Sequence, residues 1–217
     1  MQSQPSSRSA TDPDCRACPR LVAFLDQVRS DFPGYVCRPV PSFGCKDAHL
    51  LVVGLAPGMH GANRTGRPFT GDHAGILLYQ TLHQYGFASA PVSVSASDDL
   101  LLIDCRITNA VRCLPPQNKP DTREIRQCNS FLAAELPRLP AGSAVLALGS
   151  IAHQAVLMAC GVKRSAAEFA HGAVHTIVPG WQLYDSYHCS RYNTQTRRLT
   201  ESMFHAVVGR IRQDLNR

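Results

Sequence analysis

One 19-residue segment, GLAPGMHGANRTGRPFTGD at 54–72, constrains the fold most. It follows the apolar run AHLLVV (48–53) and leads into the helical pattern AGILLYQTLHQYGF (74–87). A strand therefore opens into a long polar loop, and a helix begins just past Asp72. In open α/β sheets, the space beyond the carboxyl end of a strand is where ligands bind. Five glycines let the backbone approach a ligand, Pro57 and Pro68 stiffen the loop, and Phe69 supplies its one phenyl ring. The segment fits neither G-x-x-x-x-G-K-S/T nor the dinucleotide pattern G-x-G-x-x-G.

The rest of the chain alternates in the same manner. Apolar spacing at Leu21, Phe24, Leu25 and Val28 predicts a first helix within residues 15–32. Strand 48–56, helix 72–87, a Ser- and Ala-rich connector at 88–97 and strand 99–111 follow. Asp121 caps a helix from Thr122 to about Leu139, AVLALGS (144–150) reads as a buried parallel strand, and helix 151–161 comes next. Extended segments at 175–178 and 181–188 precede a last helix capped by Thr200. Strands alternating with helices predict a parallel sheet between helical layers. The polar loops after those strands would gather at one edge. Residues 1–13 read as a flexible leader and 14–217 as one domain, a length and apolar content of 44% that can bury a single core.

The net charge of +6 suggests a polyanionic partner, since arginines concentrate in two candidate site segments. Arg64 and Arg67 lie in the first loop, and Arg191, Arg197 and Arg198 in the acid-free stretch RYNTQTRR. No signal-peptide pattern or membrane-length apolar run is present, which places the protein in the cytoplasm or nucleoid. Nine cysteines in such a compartment argue for ligands or core residues over disulfides. Cys15 and Cys18 form C-x-x-C, and Cys113 and Cys128 form C-x14-C. A zinc ribbon lacks its second knuckle, so spacing favours a four-thiolate 4Fe–4S cluster. Cys37 and Cys45 with the first pair remain a competing, zinc-suited set, while Cys105 and Cys160 read as inert core thiols.

Asn109 ends the second strand with an amide that can both donate and accept, as reading a base edge requires, though it could also cap local backbone. His188 ends an extended segment before the small residues Cys189 and Ser190, and Asp72 is positioned as an N-cap. His60, His73 and His83 read as solvated or locally bonded.

Taken together, the 54–72 loop, TNAVRCLPPQNKP (108–120) and HCSRYNTQTRRLT (188–200) resemble the uracil-DNA glycosylase superfamily. Within it the chain most resembles family 5, the type-b iron–sulfur enzymes. The resemblance implies a three-layer α/β/α sandwich with a central four-stranded parallel sheet, and a 4Fe–4S cluster on Cys15, Cys18, Cys113 and Cys128. It implies excision of uracil from double- or single-stranded DNA by a monomer, with hypoxanthine and thymine opposite guanine as further substrates. Phe69 would stack on the flipped base, Asn109 read it, and Gly54, Ala56 and Gly58 shape its pocket. His188 would stabilise the charge developing on the leaving base. Leu55 and Ala56 stand where relatives place a polar or acidic group, so Asp72 is the expected source of water activation, with Asn118 contributing. Arg64, Arg191, Tyr192, Arg197 and Arg198 would contact DNA, Arg191 or Tyr192 as the wedge that fills the emptied stack. The alternatives are a non-catalytic or base-trapping iron–sulfur DNA-binding protein of this fold, and an iron–sulfur electron carrier.

Overall fold

The computed structural model describes residues 12–216, so the leader expected at 1–13 falls almost wholly outside the described residues. The described elements are α1 (Pro19–Asp31), β1 (Phe43–Gly44), β2 (Leu50–Gly54), α2 (Ala62–Thr65), α3 (His73–Gln84), β3 (Cys105–Asn109), α4 (Thr122–Glu135), β4 (Ser143–Leu148), α5 (Ser150–Ala159), β5 (Val174–Val178), β6 (Trp181–Ser186), α6 (Arg191–Gln195) and α7 (Glu201–Leu215). They build one sheet in the order β1-β3-β2-β4-β6-β5. Its four middle strands are parallel, as expected. The sheet nonetheless has six strands, because β1 and β5 add antiparallel edges. A two-residue Pro179-Gly180 turn joins β5 to β6, and Gly180 takes the positive φ of 98° that such a turn uses. The second extended segment is thus half of a hairpin, and β6 alone joins the parallel set.

Every residue of β2, β3 and β4 is buried, which a sheet covered on both faces demands. Side chains alternate across it with period two. Leu50 and Val52 pack with Leu78 and Leu82 of α3 and Phe204 and Val208 of α7. Leu51 and Val53 face the opposite layer, with Leu132 of α4 and Ala152 and Val156 of α5. A third cluster joins Leu21, Leu25 and Val28 of α1 to Val111, Leu114 and Phe131.

The helix starts follow local chemistry. Asp121 accepts from the Glu124 N–H at 2.8 Å while Glu124 returns a bond to the Asp121 N–H, a reciprocal capping box. Thr200 caps α7 through the Met203 N–H. Two short helices, α2 and α6, lie inside segments that the sequence presents as loops, and each is too short for a periodic signal.

Candidate active site

Asn109 and Gly54 end the neighbouring strands β3 and β2 in direct register. The chain continues in step beyond them, as Ala110 and Val111 donate to the carbonyls of Gly54 and Leu55. At this juncture Asn109 and Leu55, but not Gly54, line a cleft of about 430 Å³. Its wall includes Ala56, Gly58, Phe69, Asp72, Asn109, Asn118, His188 and Arg191, which the sequence had spread over four loops.

Glycine is required where the loop presses against these groups. A Cβ on Gly54 would lie 2.4 Å from Asn109 Oδ1 and 2.6 Å from Phe69 Cζ. One on Gly61 would meet the Asp72 Cβ at 2.4 Å, and one on Gly75 would meet the Phe69 carbonyl oxygen at 1.8 Å. Phe69 itself adopts a φ of 55°, and its ring stacks on that of His188 with centroids 5.8 Å apart. An apolar plate is thereby set beside a polar edge. Asn109 Oδ1 is buried with no hydrogen-bond partner, an orphaned acceptor of the kind that is costly unless a ligand completes it.

Asp72 performs the expected cap, accepting from the Gly75 N–H at 2.9 Å at the start of α3. Burial raises its carboxyl above the usual range, against the N–H groups of Gly75 and Ala74 and the nearby His73, which lower it. The Cys189 thiol is driven up to about 12, first by its own burial and then by the Asp72 charge. Burial lowers His188 to about 4, so the ring is neutral at physiological pH and offers one N–H. Asn118 ends the turn Pro116–Asn118 with a φ of 57° and reaches the cleft from an exposed position.

The expected DNA contacts divide. Arg191 lines the cleft, and Tyr192 beside it on α6 is 70% exposed. Arg197 and Arg198 are exposed, the latter with its guanidinium 4.7 Å from the Tyr187 ring centroid. Arg64 is exposed but lies off the cleft wall, with Nε donating to the His60 carbonyl. Arg67 corrects the charge argument: it is buried, ion-paired with Asp98 and stacked 4.3 Å over Phe43. Burial alone would raise the Asp98 carboxyl, yet Arg67 and the N–H groups of Ser95 and Val94 hold it at about 2. Arg67 braces the loop and has no charge to offer a polyanion. His73, read as solvated or locally bonded, instead lines the cleft with a buried, unpartnered Nδ1.

Sequence reasoning missed the wall formed by Leu148, Gly149, Ser150 and Ile151. These residues bring the amino end of α5 to the cleft, because β4 lies between β2 and β6. The one available signal was their position after an apolar parallel strand.

The cysteines also sort by place. Cys15, Cys18, Cys113 and Cys128 line one small cavity beneath α1, which neither Cys37 nor Cys45 reaches. Burial and mutual proximity push the Cys18 thiol to about 11 and the Cys113 thiol to about 12. The Arg112 N–H donates to Cys128 Sγ at 3.4 Å. Cys37 is buried nearby but accepts from Asn63 Nδ2, and Cys45 is exposed beside β1.

The model of the family described as "Uracil DNA glycosylase superfamily" matches residues 41–212. A type-5 uracil-DNA glycosylase of Thermus thermophilus is 49% identical over 89% of this chain and 90% of its own. One from Mycobacterium bovis is 45% identical over 87% of this chain and 74% of its own, and one from Pyrobaculum aerophilum 41% over 93% and 89%. This chain belongs to the uracil-DNA glycosylase superfamily, in its type-5 branch.

Proposed function

We propose that this protein is a monofunctional DNA glycosylase that hydrolyses the N-glycosidic bond of uracil in base-excision repair and leaves an abasic site. The observation that carries this reading is the Phe69 plate set against the orphaned Asn109 Oδ1 over Gly54. A flat ring with polar edges fits there, and a base reaches such a pocket only by leaving the duplex stack. Bond cleavage puts negative charge on the departing base and positive charge on the sugar. The neutral His188 N–H suits the first, because a donor held in a dry site stabilises developing charge without reorganising. The Asp72 carboxylate suits the second, and can orient and deprotonate the water that adds to the sugar carbon. Asn118 at the rim supplies a further polar contact to that water.

Leu55 and Ala56 line the cleft without polar atoms to exclude other bases, which supports a range extending to hypoxanthine and to thymine opposite guanine. Arg191 or Tyr192 fills the vacated stack, and Arg64, Arg197 and Arg198 hold phosphates. The thiols of Cys15, Cys18, Cys113 and Cys128 fit a 4Fe–4S cluster, being four soft donors gathered at one cavity with a backbone N–H already aimed at one sulfur. When bound, such a cluster cross-links α1 to the segment after β3 and to α4, a structural contribution with no redox step in excision. The enzyme acts as a monomer in the cytoplasm at the nucleoid. Among the described residues no helix is long and apolar enough to cross a membrane.

The test is an incision assay on labelled duplexes holding U·G, U·A, hypoxanthine·T or T·G, treated with alkali after incubation. Scission at the damaged base is the expected result. Intact strands on every duplex with a retarded band present would favour the binding protein over the enzyme.

A further inference from the structure

Where β6 meets α5, outside the four-cysteine cavity, two imidazoles close on one buried carboxylate. Asp185 of β6 is 0% exposed, and the side chains bonded to it are His153 of α5 and His175 of β5. His153 Nδ1 lies 2.8 Å from Asp185 Oδ1, and His175 Nε2 lies 3.1 Å from Oδ2. The three candidate ligand atoms all fall within 4.8 Å of one another. A fully buried carboxylate requires a compensating cation. Among the described residues, no lysine or arginine pairs with Asp185.

The geometry points to a zinc site formed by His153 Nδ1, His175 Nε2 and Asp185, with a fourth position left for water. Tetrahedral ligands about 2.0–2.1 Å from zinc are roughly 3.3 Å apart, so closing this set around the ion takes only small movements. The second contact of His153 is the stronger argument. Its Nε2 is 3.1 Å from the Ala167 carbonyl oxygen, which can only accept. Nε2 therefore carries a hydrogen, and without an ion the bond to Asp185 holds a second proton on Nδ1, which zinc would displace to take the lone pair. Histidines that bind metals are held in this way, by a backbone acceptor on the far nitrogen. His175 is half-buried, which gives the ion a way in from the surface. Two imidazoles and one carboxylate suit zinc over calcium or magnesium, which favour oxygen. The bound ion would tie α5, β5 and β6 together. Asp185 precedes His188 by three residues and His153 follows the cleft residue Ile151 by two, so the tie lies directly behind two walls of the cleft.

The full-length protein, stripped with a weak chelator, is equilibrated with zinc sulfate, desalted and analysed for zinc and iron together. Wild type should retain one zinc equivalent that His175→Ala and His175→Gln both lose, with iron unchanged in all three. Zinc at about a hundredfold over its Kd should raise the wild-type Tm by roughly 5–10 °C and leave both variants unmoved. A Cys113→Ser chain should keep the equivalent, which separates this site from the thiols. Equal zinc in wild type and the His175 variants, or none in any of them, would overturn the site and leave Asp185 paired with the ring protons of His153 and His175 alone.

Discussion

Asp72 caps α3 and, in the proposed mechanism, activates the attacking water, and its two substitutions separate these roles. Asparagine keeps an oxygen that can accept from the Gly75 N–H, now 2.9 Å away, and caps as well as aspartate; alanine cannot. Asp72→Ala should therefore lose about 1 kcal/mol of stability, which in a chain of this size is roughly 2–4 °C of Tm. Asp72→Asn should lose none. It also removes a charge that burial disfavours: a carboxyl raised on folding binds its proton more tightly in the native state, so ionising it costs stability as pH rises through the raised value. At pH 8 the Asn variant should melt no lower than wild type, and their difference should shrink towards acid. Both variants should excise uracil slowly, by the roughly 10²–10⁴-fold that a positioned base contributes. The assay is single-turnover release on a U·G duplex, with affinity for undamaged duplex measured alongside. An Asn variant within a few-fold of the wild-type rate would refute the catalytic role. An Asn variant that melts as low as the Ala variant would refute the account of the cap.

The acid limb of the wild-type pH profile should follow Asp72, rate falling as it protonates, while His188 remains neutral down to about pH 4; a limb that persists in Asp72→Asn would have another origin. His188→Ala should cost on the order of 10²–10³ in the single-turnover rate, the loss typical of one charge-stabilising donor. Gly54→Ala should cut excision while leaving circular dichroism unchanged, because the new methyl displaces Asn109 and Phe69; a full rate would show the contact to be soft. Replacing Arg197 and Arg198 together should lower the log–log salt slope of DNA binding by about two, as titration by anisotropy would show. With the proposed cluster on Cys15, Cys18, Cys113 and Cys128, Cys113→Ser should lose iron and visible absorbance that the wild type carries, and a variant that stays brown would return Cys37 and Cys45 to consideration.

The elements that sequence revealed were those whose signal is local. The all-apolar run at 50–53 and the caps at Asp72 and Asp121 depend on near neighbours, and each stands where expected. What stayed hidden depends on distant ones. β1 is two residues long and exists only because Phe43 and Gly44 meet Ile107 and Arg106. The β5–β6 hairpin looked like two separate extended segments until its register closed. Arg67 reads as a charge in a glycine-rich loop, and its burial depends on Asp98, 31 residues away. The amino end of α5 enters the cleft only through strand order, and His153, His175 and Asp185 have no motif spacing to announce them. Gathering the cleft residues required only that the loops follow parallel strands, which is why that part was readable.

The three glycines pressed against Phe69, Asn109 and Asp72 also determine where this enzyme can evolve. Gly54, Gly61 and Gly75 admit no side chain without displacing the groups they cradle, so drift is closed at those positions. Leu55 and Ala56 carry side chains already, are only partly buried and border the cleft. Inherited change in what the pocket accepts is thereby steered towards side chains such as these two, and the glycines that hold the reacting groups are kept out of the exchange.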